Sequence, residues 1–155
     1  MIRVQRADFD VAAEMASLSA EAPGAGAVCV FVGLVRDLSR GEPVAAMTLE
    51  HYPGMTERTL ARLEAEARDR WPLAGVRIVH RHGRLDPGER IVLVAVASAH
   101  RDAAFDACRF LIDRLKTTAP FWKAEENPDG RRWVEARPED DAAVERWGVE
   151  DSPKP

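Results

Sequence analysis

Lys116 and Lys123 stand seven residues apart in the segment Leu115-Lys116-Thr117-Thr118-Ala119-Pro120-Phe121-Trp122-Lys123-Ala124-Glu125. Of the 22 basic residues only these two and Lys154 are lysines, and all the others are arginines. Arginine stays protonated and presents a planar fork, whereas lysine is a compact point charge that can serve as base, nucleophile or close electrostatic partner. Strand alternation after Pro120 puts Phe121, Lys123 and Glu125 on one face, with Glu125 able to hold Lys123 in place. Two ammonium groups brought close lower one another's pKa, which suits attack on an acyl carbon or stabilisation of the charge that develops there. The plainer alternative is a solvated helix end, where a lysine complements the helix dipole.

Three other polar groups fall at the ends of apolar segments. Gly33-Leu34-Val35-Arg36 closes the run Ala27-Val28-Cys29-Val30-Phe31-Val32, so Arg36 emerges from a rigid strand beside a glycine that permits close approach. Ser98-Ala99-His100-Arg101-Asp102 joins a strongly apolar strand to a helix, and a helix N-terminus flanked by His100 and Arg101 attracts anions. His100 could equally cap that helix or pack as a ring. His80-Arg81-His82 has the look of a metal site, yet no third ligand lies nearby in sequence, so neither metal nor cofactor is expected.

These groups need positioning elements, and the hydrophobic pattern supplies them. A short strand is expected over residues 2–6 and a helix from Asp8 to Ser19, capped by Asp8 or Asp10 with Val11, Met15 and Leu18 inward. The run from Ala27 reads as a buried strand. Residues 37–43 read as a polar, mobile loop, and Val44 to Tyr52 as a strand. Pro53 is placed to open a helix with Leu60, Leu63, Ala67 and Trp71 inward, stopped by Pro72. Val76–His80 is a short strand, Asp86-Pro87-Gly88-Glu89 a turn, and Ile91–Ala99 a buried strand. Arg101–Thr118 is a helix with Ala104, Cys108, Leu111 and Leu115 inward and Phe105 and Ile112 beside them. Phe121–Glu126 and Arg131–Ala136 form a hairpin around Asn127-Pro128-Asp129-Gly130. The mixture indicates an α+β fold with a mixed or antiparallel sheet, in one domain over residues 1–137, followed by an acidic, flexible tail over 138–155.

Bulk properties narrow the function. A length of 155 residues with 46% hydrophobic and 31% charged residues suits one globular domain. No apolar run is long enough to span a bilayer and no leader opens the chain, so a cytoplasmic protein without membrane contact is expected. A net charge of −4 argues against nucleic acid as partner. Cys29 and Cys108 lie in apolar stretches and read as core thiols, not as a disulfide or a nucleophile.

Taken together, the segments resemble the large, catalytic subunit of molybdopterin synthase. The matching stretches are Phe31-Val32-Gly33-Leu34-Val35-Arg36, Leu49-Glu50-His51-Tyr52-Pro53-Gly54-Met55, His80-Arg81-His82-Gly83-Arg84-Leu85 with Pro87-Gly88-Glu89, Ser98 to Phe105, Asp113 to Lys123, and Trp133-Val134-Glu135-Ala136. They span about residues 24–137, in the family's order. The resemblance implies an α/β-hammerhead fold and a sulfurtransferase that needs no cofactor. Its two sulfurs would come from the thiocarboxylated C-terminal glycine of a small ubiquitin-like partner and go to cyclic pyranopterin monophosphate. It also implies a homodimer of large subunits at the centre of a heterotetramer. By position, it gives catalytic roles to Lys116 and Lys123, and substrate contacts to Leu34, Val35, Arg36, His100, Arg101, Lys116, Lys123, Ala124 and Glu125. Leu34 stands where some relatives carry a polar residue. Two other readings remain open on the residues alone: a Schiff-base enzyme using a desolvated Lys116, and a non-catalytic module that binds a phosphorylated ligand through its arginines.

Overall fold

The structure is a computed structural model that describes residues 1–39, 41–134, 142–143 and 145–148. In chain order the elements are β1 (Ile2–Gln5), α1 (Val11–Glu21), β2 (Ala27–Leu34), β3 (Leu38–Ser39), β4 (Glu42–Pro43), β5 (Ala46–His51) and α2 (Met55–Arg70). These are followed by β6 (Leu73–Arg81), β7 (Gly83–Leu85), β8 (Arg90–Ser98), α3 (Arg101–Thr118), β9 (Phe121–Asn127) and β10 (Gly130–Val134). One sheet has the order β1-β6-β8-β2, with β1 parallel to β6 and the other pairs antiparallel. A second, antiparallel sheet has the order β10-β9-β5-β7, and β3 and β4 make a small ribbon.

Helices cover both faces of the first sheet. Val76 and Ile78 of β6 and Val92, Val94 and Val96 of β8 pack with α2 and α3 through Leu60, Leu63, Phe110, Leu111 and Leu115. The alternate residues Val79, Leu93, Ala95 and Ala97 pack with Leu18 and Ala22 of α1. Alternation thus assigns these residues of β6 and β8 to one helical layer or the other. Arg77 falls on the α1 side and is 5% exposed in its side chain, where it pairs with Glu14 at 3.1 Å and Glu21 at 2.8 Å. The α+β class expected from the sequence is the one observed.

Several local expectations are corrected. α1 begins at Val11 with Asp10 as its N-cap, accepting from the amides of Ala12 and Ala13, and runs on to Glu21. Met15 is exposed, so Leu18 alone of the expected stripe is fully buried. β2 is the sheet's edge strand among the described residues and only half-buried, although its composition suggests a two-faced burial. Pro53 does not open α2: Gly54, at φ +81°, is the N-cap, and its amide donates to Glu57 at 2.6 Å. β6 runs longer than expected, and Phe105 points to solvent. Residues expected to be a mobile loop form β3 and β4 instead. The hairpin partner β10 ends at Val134; Glu135, Ala136 and most of the expected tail lie outside the described residues. Within that tail Trp147 packs edge-on against Trp71 and Phe110, and its Nε1–H donates to Asp113 at 2.9 Å.

Gly26 shows why a small residue is required at the mouth of β2. A Cβ there would lie 2.4 Å from the carbonyl oxygen of Ala99, while the Gly26 amide donates to Ser98 at 3.0 Å. Gly26→Ala should therefore shift the strand end and destabilise the protein by about 1–3 kcal/mol, as overpacking against backbone does. Urea unfolding of the two proteins measures this, and an unchanged midpoint would contradict it.

Candidate active site

Lys116 and Lys123 meet because of how α3 ends. Pro120 forces Ala119 out of helical geometry, to φ −73° and ψ 133°. The Phe121 amide donates back to the Ala119 carbonyl at 2.8 Å, so the chain passes from helix to strand in one tight turn. Lys116 in the last turn of α3 and Lys123 in β9 then line one cleft of about 740 Å³. Arg36, Glu125 and His80 line it too, with Phe31, Ile112 and Leu115 among its apolar walls. Lys116 is exposed, Lys123 half-buried and Glu125 buried.

Arg36 reaches this cleft from the end of β2. A register shift at Gly33/Leu34 bends the strand, and buried Val35 clamps its continuation: its amide donates to Glu89 at 2.9 Å and its carbonyl accepts from Gly88 at 2.8 Å. With Val35 held inward, Leu34 and Arg36 on either side face the cleft. Gly33 is needed for packing more than for ligand access, since a Cβ there would come within 2.9 Å of Val92 Cγ1. Ala124 is fully buried off the cleft, in register between Thr48 of β5 and Trp133 of β10.

His100 and Arg101 do not join the others within one chain. They sit at the opposite end of α3, whose 18 residues span about 25 Å. His100 occupies the N-cap position without a side-chain capping bond, and Arg101 is 82% exposed beside Asp102.

His80 is the residue that reading the sequence undervalued. It is buried, and its ring lies on Phe121 with centroids 3.7 Å apart and planes 16° from parallel. Its Nδ1 is 2.7 Å from the Arg81 carbonyl, which can only accept, so the proton of the neutral ring sits on Nδ1. His82 instead contacts His51, with centroids 4.5 Å apart, and His51 meets Thr56 at 3.3 Å. The two histidines of the apparent metal pair therefore have separate neighbours. Burial pushes His80 from its ordinary 6.5 down to about 4, outweighing the hydrogen bond to the Arg81 carbonyl, which acts the other way, and neighbouring His51 and His82 add to the fall. The available signal was a polar residue closing the apolar run of β6.

Cys108 is buried, Cys29 is half-buried and both are free thiols. Burial pushes the Cys108 thiol far up, which makes it a poor nucleophile.

Fold and cleft together are those of a small α+β enzyme whose cleft is suited to an anionic ligand. The profile of the MoaE protein family matches residues 4–118. The chain is 58% identical over 146 residues to a molybdopterin synthase catalytic subunit of Pseudomonas aeruginosa, covering 94% of this chain and 97% of that one. Among solved structures, a molybdopterin biosynthesis MoaE protein from Burkholderia ambifaria superposes with a TM-score of 0.82 at 58% identity, covering 97% and 99% of the two chains. Molybdopterin synthase from Staphylococcus aureus superposes with a TM-score of 0.79 at 32% identity, covering 85% and 95%. This chain belongs to the MoaE family of molybdopterin synthase catalytic subunits.

The neutral, buried state of His80 has a measurable consequence. The unfolded chain takes up a proton below pH 6.5 that the folded chain refuses until about 4. Stability is therefore lost as pH falls through that window, by up to about 3 kcal/mol from this group. Urea midpoints at pH 7, 5.5 and 4 should show the fall, and His80→Phe should lack His80's share of it.

Proposed function

We propose that the chain transfers sulfur in the cytoplasm from a small ubiquitin-like partner, whose C-terminal Gly-Gly carries a thiocarboxylate, to cyclic pyranopterin monophosphate. The observation that carries this reading is the convergence of Lys116, Lys123 and Arg36 on one cleft with Glu125. An extended tail enters beside the two lysines, and the substrate phosphate is drawn by the arginine and by the cationic character of the cleft. Among the described residues no helix is long and apolar enough to cross a membrane.

In each transfer the thiocarboxylate sulfur bonds to a pterin carbon as a carbon–oxygen bond at that carbon breaks and the oxygen leaves with the electron pair. Water then cleaves the acyl carbon–sulfur bond, so the sulfur stays on the pterin and the tail departs as a carboxylate. Negative charge develops on the acyl oxygen, and the Lys116 and Lys123 ammonium groups are placed to stabilise it. Two such transfers make the dithiolene. No sulfur carrier is needed in this chain, in keeping with two thiols that are both packed in the apolar interior.

His100 and Arg101 fit this scheme as residues acting in the cleft of a second copy. The edge strand β2 and the exposed Phe31 and Phe105 offer surface for a homodimer. The dimer forms the core of a heterotetramer with two small subunits. Mixing inactive Lys116→Ala with inactive Arg101→Ala should then restore about a quarter of the wild-type sites, because half of randomly exchanged dimers carry one intact site. Absence of any recovery after verified exchange would place Arg101 elsewhere.

Lys116 decides between chemistry and mere charge. Arginine keeps the charge but is too broad and too basic to replace an ammonium set against the acyl carbon. Lys116→Arg is expected to be nearly as inactive as Lys116→Ala in single-turnover dithiolene formation, with partner binding retained in both. Near-normal turnover in Lys116→Arg would favour a binding module, and borohydride trapping of a carbonyl substrate on Lys116 would favour a Schiff-base enzyme.

A further inference from the structure

We infer that His80 is a positioning residue for the sulfur-transfer cleft: through its stack on Phe121 it fixes where Lys123 and Glu125 stand opposite Lys116. The inference rests on the function proposed above. Phe121 opens β9, and the side chains that follow on the same face are Lys123 and Glu125, so the position of the Phe121 ring sets the start of the functional row. On the β5 side that strand start is paired with His51, whose ring centroid is 6.1 Å from that of Phe121. On the cleft side it has His80, 3.7 Å away and nearly parallel.

His80 is well held for this task. Its backbone belongs to β6, paired with Val92 of β8 on one side and Val4 of β1 on the other. Its Nδ1–H is tied to the Arg81 carbonyl, and the Arg81 side chain is itself anchored to Glu89 at 3.1 Å and to the carbonyls of Arg6 and Arg90. This ring pair therefore ties the central sheet to the second sheet at the start of β9, beyond the packing of Ile91 against Met47, Leu49 and Leu85. A neutral imidazole can do this beside cations, where a protonated one would repel the lysines.

The test uses the full-length protein with its thiocarboxylated partner, and the small number of lysines makes it clean. Labelling with lysine enriched in carbon-13 at the ε position gives three NMR signals, one for each lysine in the sequence. His80→Ala should displace the Lys123 signal and leave that of Lys154 in place. It should lower kcat by about tenfold or more while the pterin KM moves less than about threefold, the pattern expected when a reacting group is misplaced and not lost. His80→Phe restores a flat ring and should bring kcat back to within about threefold of wild type. His80→Gln, which keeps a donor for the Arg81 carbonyl without the ring, takes the place of His80→Ala if that variant fails to fold. A folded ring-deleted variant with wild-type kcat, or with an unmoved Lys123 signal, overturns the inference. If the wild type forms no dithiolene the proposed function fails instead, and the Lys123 signal still decides the positioning role.

Discussion

The constraint on which the rest depends is that β8 is buried on both faces. Val92 through Ser98 form an unbroken buried run, bordered by β6 and β2 and covered by α2 and α3 on one side and α1 on the other. Such a strand can exist only inside a three-layer arrangement, because each face must meet an apolar surface. Once it is fixed, α3 must leave its C-terminal end and pack back across the sheet. That return path is what brings the end of α3 to the edge where β2 ends and β9 begins.

The same geometry separates the two ends of α3 that carry candidate site residues. Its C-terminal turn delivers Lys116 to the cleft, while its N-terminus carries His100 and Arg101 to the far side of the molecule. A helix is a rigid spacer, so no side-chain rearrangement in one chain could bring those ends together. Under the proposed function, a site that uses both ends is one shared between two copies. His100 and Arg101 were grouped with the two lysines by the family resemblance alone, and the fold of one chain separates them by the length of α3.

How much was legible in the sequence follows the same physics. α3 was readable to its final residue because Pro120 is a local stop signal and its inward stripe has a clean helical period. The row Phe121, Lys123 and Glu125 was readable because strand alternation is local as well. β2 was misjudged because an edge strand whose exposed side can serve an interface has the composition of a buried one. Gly26 carries a requirement that no local pattern shows, a close contact with Ala99, a residue remote in sequence. Arg77 gave no signal at all: its partners Glu14 and Glu21 lie on α1, and only the sheet's register turns it toward them. His80 was weighed only as half of a metal pair and set aside for want of a third ligand, because spacing is visible in a sequence and a ring stacked from another sheet is not.

The bias that separates arginine from lysine gains a structural meaning from these contacts. Scaffold arginines each satisfy several acceptors: Arg77 spans two glutamates of α1, and Arg81 holds Glu89 together with two backbone carbonyls. A planar fork with five donors can do this while nearly buried, and a single ammonium could not reach acceptors so disposed. The cleft imposes the opposite demand. In the proposed reaction an extended tail and a fused-ring ligand enter beside Lys116 and Lys123, where a compact ammonium leaves room and its donors can rotate as charge shifts from one atom to another. On that reading arginine at Lys116 or Lys123 would crowd the reactants, and lysine at Arg77 could hold only one of Glu14 and Glu21, of which Glu14 alone also pairs with Arg3. The division separates Arg77 and Arg81, which span several acceptors, from Lys116 and Lys123, while Arg36 brings one guanidinium to the cleft as well.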